Sequence, residues 1–529
     1  MGLAALRFFL LPAALLWLMA SPAQAASRCE PWAAQLASVQ GRVEAKQAGA
    51  ARWEPVATGA ILCPGDSLRV AEFGRAALLM PGDTLLRLDQ ASSLTFPAAA
   101  ANEPSWLDLL QGAVHFISRH PPKLQIKTPF VNAAIEGTEF VLGVTAEQTS
   151  LWVLEGRVLA SNVAGSLAVA GGEAAVARAG QPPVRLMLRP RDAVQWALYY
   201  PPLIDLRPGA PAAGPAAQTL GEALERYKRG DVAAALAKLD QVPASARDAS
   251  WLALRVALLL SVGRVDAAQS DLAQALGQSP EDGTALALKS VIALAQNQNQ
   301  EALALARKAV DRAPDSPVPY IALSYAQQAV FELDAALASV QQALKLDPDN
   351  ALAWARLAEL RLAGGDAKHA LEAAQQAVTL NPDLARTHTV LGFVRLARLE
   401  LGEAKMSFDK AVTLDQADPL PRLGLGLARI RENQFEAGRQ EIEIATSLDP
   451  GNALIRSYMG KAYFEERRDA LAGTQLAMAK ELDPKDPTPW FYDAIRKQLG
   501  NRPVEAVADL QQFAHPRDFV ARRAGIGVG

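Results

Sequence analysis

The sequence has little cysteine, few aromatic residues and almost no net charge. Only 2 of its 529 residues are cysteine, which excludes a small disulfide-scaffold protein, and 36 glycines are far too few for a collagen-like repeat. The formal net charge is -3 at pH 7, so the basic excess typical of nucleic-acid-binding proteins is absent. Half of the residues are hydrophobic, which excludes a chain that is disordered throughout. The length predicts about two to four domains.

The sequence also lacks the motifs of common active sites. It contains no Gly-x-Ser-x-Gly, His-Glu-x-x-His or Cys-x-x-Cys motif, and Gly171-Gly172 does not continue into a phosphate-binding loop. The histidines are scattered without metal-ligand spacing, so neither a metal nor another cofactor is expected. Glu136 and Glu139 form the best carboxylate pair, which we interpret as solvated residues at a strand edge, and we expect His115 and His120 to be solvated as well. We therefore predict that the protein is not an enzyme.

Residues 1–25 are predicted to be a secretory signal peptide. Arg7 gives a short positive start, Phe8 to Met19 is apolar, and Ala23-Gln24-Ala25 offers the small residues that a signal peptidase recognises. A retained membrane anchor is the alternative, but the apolar run is shorter than the ~20 residues that span a bilayer. A lipoprotein would need a cysteine directly after the small residues, whereas Cys29 comes later. No integral membrane span is expected after cleavage.

Both cysteines lie near the start of the mature chain. Export would place Cys29 and Cys63 in an oxidising compartment, where a single pair has one possible connectivity. We predict a disulfide between them, and the alternative is two buried thiols. The expected location is the periplasm, with association to the outer membrane left open.

The first half of the mature chain has the pattern of short β-strands. Gly-Asp and Pro-Gly turns, such as Gly65-Asp66 and Pro81-Gly82-Asp83, separate short apolar or alternating runs. Examples of these runs are Ser67–Val70, Ala76–Met80, Leu85–Leu88, Leu124–Lys127 and Leu151–Val158. The spacing predicts an all-β sandwich or roll over residues 26–200.

The second half has a different period. Proline recurs at intervals of 34 residues, with one position, Gln416, where the register holds but the proline is lost. Small residues recur in the same register, so that two helices can approach closely in each repeat. The proline positions are Pro280, Pro314, Pro348, Pro382, Pro450 and Pro484.

This register resembles the tetratricopeptide repeat, a helix-turn-helix unit of 34 residues. Trp354 with Leu357-Ala358, and Tyr320 with Leu323-Ser324, fit its first helix. The resemblance covers residues 218–512, as about eight to nine repeats, and implies an all-α superhelix (α-solenoid). It also implies a concave face that binds proteins.

The segments around the repeats have their own composition. Residues 201–217 are rich in Pro, Ala and Gly, and we interpret them as a semi-rigid linker. The aromatic stretch Trp196–Tyr200 just before it is expected to pack on one domain, and the alternative is a clasp that fixes both. Residues 513–529 lose the apolar pattern and are predicted to be an irregular tail, with a natural end and a truncation both left open.

Several phrases in the first half resemble the periplasmic FecR-type domain. They are Gly41-Arg-Val43, Gly65–Val70, Gly74–Leu78, Leu86–Asp89, Leu110–Val114, Thr128-Pro129, Gly137–Phe140 and Glu155–Val158. In iron-transport regulators this domain senses a receptor state and controls a sigma factor. Those regulators carry a cytoplasmic segment and a membrane helix before the domain, where this chain has a predicted signal peptide. The resemblance therefore implies a periplasmic β-domain that binds envelope components, without the sigma-factor role.

The tetratricopeptide resemblance also predicts which residues line a partner-binding groove. Carried onto this register, the first helix of each repeat supplies mainly aliphatic and aromatic side chains, suited to an apolar, extended or helical segment. The alternative is that neighbouring helices cover them. These groove residues are Val318, Ile321, Tyr325, Arg386, Phe393, Leu423, Leu427, Ile430, Lys461, Phe464 and Phe491.

The leading hypothesis is an exported periplasmic scaffold that binds protein partners, with the FecR-like domain as a second binding module. The partners would be cell-envelope proteins and no nucleic acid. An envelope-sensing component related to FecR-type regulators is the alternative, as is a truncated part of a larger protein associated with the outer membrane. An enzyme is disfavoured because no catalytic site is recognisable.

Overall fold

The computed structural model describes residues 29–97, 105–119, 124–186, 195–204, 217–228 and 231–512. The predicted signal peptide, His120 and the C-terminal tail lie outside these residues. The first described part is a β-domain, and the second is a helical array. The strands are β1 (Ala34–Gln40), β2 (Val43–Lys46), β3 (Glu54–Pro55), β4 (Ile61–Leu62), β5 (Ser67–Val70), β6 (Arg75–Met80), β7 (Thr84–Leu88), β8 (Ser93–Thr95), β9 (Ser105–Ser118), β10 (Leu124–Lys127), β11 (Asn132–Val144), β12 (Gln148–Asn162), β13 (Gly165–Ala170), β14 (Ala174–Arg178) and β15 (Val184–Leu186).

The strands of the β-domain form one connected, mostly antiparallel sheet, curved into a small barrel with extra strands. Its main path runs β15-β14-β12-β11-β10-β9-β7-β6-β1-β4, and β9 also pairs with β8 and β11. Alternating residues of the long strands face a core that includes Phe116 and Phe140, whose rings stack 4.9 Å apart. The predicted all-β domain is confirmed.

A disulfide joins Cys29 to Cys63, whose Cα atoms are 5.8 Å apart. The pairing agrees with the prediction. It closes a loop of 34 residues and ties the start of the β-domain to the turn before β5. Closing such a loop stabilises the domain by reducing the freedom of the unfolded chain.

The helical array consists of paired antiparallel helices, and the described residues contain nine pairs. They are α1 (Ala217–Lys228), α2 (Val232–Asp240), α3 (Ala249–Ser261), α4 (Val265–Gln278), α5 (Gly283–Ala295), α6 (Asn299–Arg312), α7 (Pro317–Ala329), α8 (Leu333–Leu346), α9 (Ala351–Ala363), α10 (Ala367–Leu380), α11 (Ala385–Ala397), α12 (Leu401–Leu414), α13 (Pro419–Arg431), α14 (Phe435–Leu448), α15 (Ala453–Glu465), α16 (Asp469–Leu482), α17 (Pro487–Leu499) and α18 (Pro503–Gln511).

Local chemistry sets the limits of these helices. An Asp or Asn stands before the first helix of most repeats, and its side chain accepts a hydrogen bond from a backbone N–H of the first turn. These caps recur in the 34-residue register. The small residues predicted to let helices approach are buried, as Ala302, Ala336 and Ala370 show with no exposed surface. The array is therefore built from repeated local contacts between neighbouring helices.

The array curves until distant repeats touch. The side-chain amide of Asn297, in the turn between α5 and α6, donates a hydrogen bond of 3.0 Å to the carbonyl of Gly451 before α15. These residues are 154 positions apart in the chain. The superhelix consequently encloses its inner face, and the β-domain lies against that enclosed region.

Candidate functional site between the two domains

The β-domain packs directly on α14 of the array. Six apolar side chains from β1, β6, β7, β9 and α14 form a single buried cluster, and none is more than 6% exposed. Removing this apolar surface from water favours the contact. The members are Ala37, Ala77, Leu85, Ile117, Ile444 and Leu448.

A buried carboxylate lies beside this apolar cluster. The pairing of β11 with β12 shifts register on both sides of Glu139, which is the signature of a β-bulge. Arg456 of α15 donates from Nη2 to Oε1 of Glu139 at 2.6 Å and from Nη1 to Oε2 at 2.9 Å. Nε2 of His115 lies 3.0 Å from Oε1, and Nη2 of Arg119 lies 3.3 Å from Oε2. All four side chains are at most 1% exposed.

The charge of Glu139 is stabilised by these neighbours. Burial alone would raise the pKa of its carboxyl group, but the positive charge of Arg456 and the hydrogen bonds from His115 and Arg456 hold that pKa well below its ordinary value. Glu139 is therefore an ionised carboxylate in a buried interface. Both of its oxygens are occupied by hydrogen bonds from two arginines and His115, so it is not available as a general acid or base.

A second carboxylate extends this network. Glu155 accepts from Arg119 at 2.5 Å and from the side-chain amide of Gln475 at 3.0 Å. The oxygen of that amide accepts from Arg456 at 2.9 Å. Three strands of the β-domain (β9, β11 and β12) and two helices of the array (α15 and α16) are thus connected through one set of hydrogen bonds.

A third contact involves the turn between β6 and β7. Asp83 of this turn accepts from Arg439 at 3.3 Å and from Arg468 at 3.0 Å. Arg439 also donates to Glu443 at 2.7 Å, and the hydroxyl of Tyr463 donates to the same carboxylate. Arg439 of α14, which is buried, thereby links Glu443 of the array to Asp83 of the β-domain.

Arg456 has a second role that belongs to the repeat. Its Nε donates to the carbonyl of Pro450 at 2.8 Å. Other repeats place a ring nitrogen at the same position against the same proline carbonyl. These pairs are Trp354 with Pro348, His388 with Pro382 and Trp490 with Pro484. The guanidinium keeps the repeat's hydrogen bond and has two more nitrogens for Glu139.

The position that lost the repeat's proline also contacts the β-domain. Oε1 of Gln416 accepts from the backbone N–H of Val39 at 2.9 Å and from the hydroxyl of Thr58. Its carbonyl accepts from the hydroxyl of Ser38 at 2.9 Å. A proline could provide the carbonyl but not the side-chain acceptor, so the exception in the repeat register coincides with the interface.

The residues Gln195–Ile204, here named the central segment, lie between the two domains. Arg75 of β6 donates to the carbonyls of both Trp196 and Ser261, so one guanidinium connects the β-domain, the central segment and α3. Gly263 approaches the carbonyl of Trp196 so closely that a Cβ there would lie 2.1 Å from the oxygen. The expectation that this stretch packs on one domain is therefore wrong, and the clasp alternative describes its contacts.

Two protein families match the sequence. The FecR protein family matches residues 66–159, and the tetratricopeptide repeat family matches residues 254–317, 323–385 and 423–487. The chain contains a FecR domain followed by tetratricopeptide repeats. Both families are non-catalytic. The two resemblances predicted from the sequence are confirmed.

Solved structures show similarity to parts of the chain. The APC/C hetero-tetramer Cut9-Hcn1 has 17% identity and a TM-score of 0.47, covering 58% of this chain and 62% of that chain, which is less than two thirds. A putative anti-sigma factor from Parabacteroides distasonis has 12% identity and a TM-score of 0.23, covering 26% and 68%. A thermophilic tetratricopeptide protein from Thermus thermophilus has 23% identity and a TM-score of 0.31, covering 37% and 100%. No curated protein matches significantly.

The structure divides the predicted groove residues into two groups. Ile321, Leu423, Leu427 and Ile430 are at most 9% exposed and belong to the core of the repeat array. A partner cannot reach them in this structure, which agrees with the alternative that neighbouring helices cover them. Arg386 is 8% exposed, so it is also largely internal. The remaining residues keep some accessible surface: Val318, Tyr325, Phe393, Lys461, Phe464 and Phe491. Partner binding by them stays a prediction.

Two expectations about solvated residues are wrong. Glu139 and His115 have no exposed surface, because the array covers the face of the sheet from which they project. The side chains of Glu136 and His120 lie outside the described residues.

Among the residues that the structure describes, no helix is both long and apolar enough to cross a membrane. The same residues contain no cluster of three or more side chains that could hold a metal ion.

Sequence reasoning missed the charged residues of the interface. Arg439, Glu443 and Arg456 belong to no motif, and the sequence pattern did not single them out. One signal of the interface was present in the sequence: Gln416, the one departure from the proline register. Comparing residues at equivalent positions of the repeats would have shown further interface residues. Some of the β-domain residues that pair with the array lie in the sequence phrases from which the FecR family was recognised. Glu139, in Gly137–Phe140, is one of them.

Proposed function

We propose that the protein is an exported, periplasmic scaffold that binds cell-envelope proteins through its tetratricopeptide array. The observation that carries this proposal is the docking of the FecR domain on α14 and α15 through a buried charge network and an apolar cluster. Two domains of non-catalytic, protein-binding type are thereby held in one orientation. Such a unit can present two binding surfaces at a fixed distance from each other.

The disulfide and the FecR similarity support the periplasmic location. Disulfides persist in oxidising compartments, and FecR domains typically face the cell envelope. The test is N-terminal sequencing of the protein from fractionated cells. A mature chain that begins at Ala26 in the periplasmic fraction is expected, and association with the outer membrane would show in the membrane fraction. An uncleaved chain in the cytoplasm would contradict the proposal.

Partner binding is tested by crosslinking in living cells. A photo-reactive residue at Phe464 or Phe491, both still accessible on first helices of their repeats, should capture envelope proteins. The matched control places the same residue at Met406, which is 72% exposed on the second helix of its repeat. Equal capture at all three positions, or capture at none, would contradict binding through the predicted groove.

A second candidate function is sensing of an envelope or receptor state. The FecR match over residues 66–159 favours it, because that family relates to anti-sigma factor regulators. The same crosslinking experiment separates the two candidates. Recovery of outer-membrane receptors alone, through the FecR domain, would favour sensing over a general scaffold.

A further inference from the structure

The enclosed inner face of the array already holds a peptide, which is the chain's own central segment: a short helical turn at residues 195–197 followed by an irregular stretch to Ile204. Leu198, Tyr200 and Leu203 are at most 7% exposed and belong to the same apolar cluster as the helices from α1 to α11. The closing contact between Asn297 and Gly451 lies beside this segment. The array therefore surrounds these ten residues much as a solenoid surrounds a bound peptide.

The contacts of the central segment are specific. Leu198 packs on Gly451 so tightly that a Cβ at this glycine would lie 2.6 Å from the leucine Cδ2. The backbone N–H of Tyr199 donates to Asp449, at the end of α14. The phenol of Tyr199 lies near the charged groups of Asp418 and Arg386. Arg386 is one of the predicted groove residues.

The groove is not filled by this segment. One cavity of about 550 Å³ is lined by Leu198–Ile204 together with Arg386, Leu384 and Asp415. A second cavity of about 720 Å³ is lined by Leu198 and Gln195 together with Gly451 and Arg456. Volumes of this size are typical of ligand sites. The inner face thus has space for a peptide bulkier than the one it holds.

We propose that this groove is a binding site for an aromatic- and proline-containing segment of a partner protein, which takes the place of the central segment. The proposal rests on the function proposed above, that the array binds proteins. The chemistry of the occupant follows from the segment now seated there. Its adjacent tyrosines supply large apolar surfaces, and the fixed φ of Pro201 and Pro202 limits the conformational entropy that is lost on binding.

The attachment of the central segment makes it a competitor of any partner. Because both of its ends belong to the same chain, its effective concentration at the groove is on the order of millimolar. A free peptide binds only to the fraction of molecules whose groove is open, and its apparent affinity falls by that fraction. Loosening the central segment should therefore strengthen peptide binding.

The experiment uses the full chain and a fluorescein-labelled synthetic peptide with the sequence of residues 195–204. Fluorescence anisotropy compares the wild-type protein with the double variant Leu198→Ala/Tyr199→Ala. The variant is expected to bind the peptide at least about tenfold more tightly, since its own segment no longer competes. Met406→Ala changes an exposed side chain that does not line either cavity, so it is the matched control and should bind as the wild type does. A control peptide in which serine replaces Tyr199, Tyr200 and Leu203 should not bind.

Circular dichroism must show that the double variant melts as the wild type does. If it does not, Tyr199→Ala alone replaces it, because that side chain is only partly buried. Hydrogen exchange supplies the second measurement: saturating peptide should accelerate exchange of the amides of residues 195–204 in the wild type. Absence of binding by every folded variant overturns the proposal, as does binding that leaves those amides protected. Either result leaves the scaffold proposal standing if crosslinking from Phe464 and Phe491 still captures partners.

Discussion

Helices α10 and α14 occupy the same place in their repeats, 68 residues apart, but they are buried very differently. In α10 the buried residues are Ala370, Ala373, Ala374 and Ala377, which form one face toward the neighbouring helices. In α14 every residue from Glu441 to Leu448 is buried. The FecR domain lies on the face of α14 that corresponds to the solvated face of α10.

The residues at equivalent positions differ accordingly. Gln376 of α10 is exposed, and its counterpart in α14 is Ile444, which contacts the FecR domain. Leu371 corresponds to Arg439, and Asn381 at the end of α10 corresponds to Asp449. The comparison teaches that the small residues recurring every 34 positions specify the repeat, whereas the opposite face of α14 specifies where the FecR domain docks. The following predictions test this division, from the largest expected effect to the smallest.

Replacing Arg456 should weaken docking most. In Arg456→His, the imidazole can still donate to the carbonyl of Pro450, as His388 does at Pro382, but it cannot reach Glu139 with two nitrogens. Removing one partner of a buried ion pair costs about 3–5 kcal/mol. Hydrogen exchange of β11 and α15 amides should show a loss of this size in the free energy of local opening.

The matched control for this change is His388→Ala. It removes the same hydrogen bond in another repeat, at a residue outside the charge network around Glu139, and it should cost about 1 kcal/mol with no change at β11. Equal effects of the two changes on β11 would mean that Arg456 acts only within its repeat.

The apolar part of the interface gives the next largest effect. Leu448→Ala should destabilise the interface by about 2–4 kcal/mol, because the fully buried side chain leaves a cavity against the FecR domain. Leu380→Ala makes the same change at the equivalent, partly exposed position of α10 and should cost markedly less. Urea denaturation of both variants measures the difference. Similar losses would show that the FecR domain adds little to the burial of Leu448.

The pH dependence of stability should also distinguish the two helices. Burial raises the pKa of Asp449 to about 7, from an ordinary value near 4 in the unfolded chain. A raised folded-state pKa stabilises the protein below the unfolded value, and this contribution is lost as the pH rises toward and through 7. Asp418, whose pKa burial also raises to about 7, acts in the same direction.

The free energy of unfolding should consequently fall between about pH 4 and about pH 7. Asp449→Asn introduces the residue that ends α10 and should flatten part of this dependence in urea titrations. Asp349→Asn changes an exposed aspartate and is the control. An unchanged pH profile in Asp449→Asn would show that this carboxyl group does not titrate with folding.

Restoring the repeat's proline should have the smallest effect. Gln416→Pro removes the acceptor for the N–H of Val39 and should cost about 1–2 kcal/mol at the interface while leaving the array intact. Pro348→Gln makes the reverse change away from the FecR domain. Faster hydrogen exchange at Val39 is expected in the first variant and not in the second, and the opposite pattern would contradict the role assigned to Gln416.

Much of each domain could be predicted from local patterns. The strands that include Ser67–Val70 and Leu124–Lys127 follow from short alternating runs, and the helices follow from a 34-residue register with capping residues before them. Burial of Glu139 and His115 could not be predicted, because both are polar residues on a strand face that resembles a solvated one. Their environment depends on helices more than 300 positions away in the chain.

The sequence by itself determined the two families and most strands and helices, because each depends on short-range periodicity, and it left a single possible connectivity for the two cysteines. The tertiary structure alone decided which face of the array is covered, why Gln416 breaks the proline register, and where the central segment lies. The physical reason is that docking is carried by single pairs such as Glu139 and Arg456. Such a pair has no period, and its energy depends on exclusion of water by both domains together.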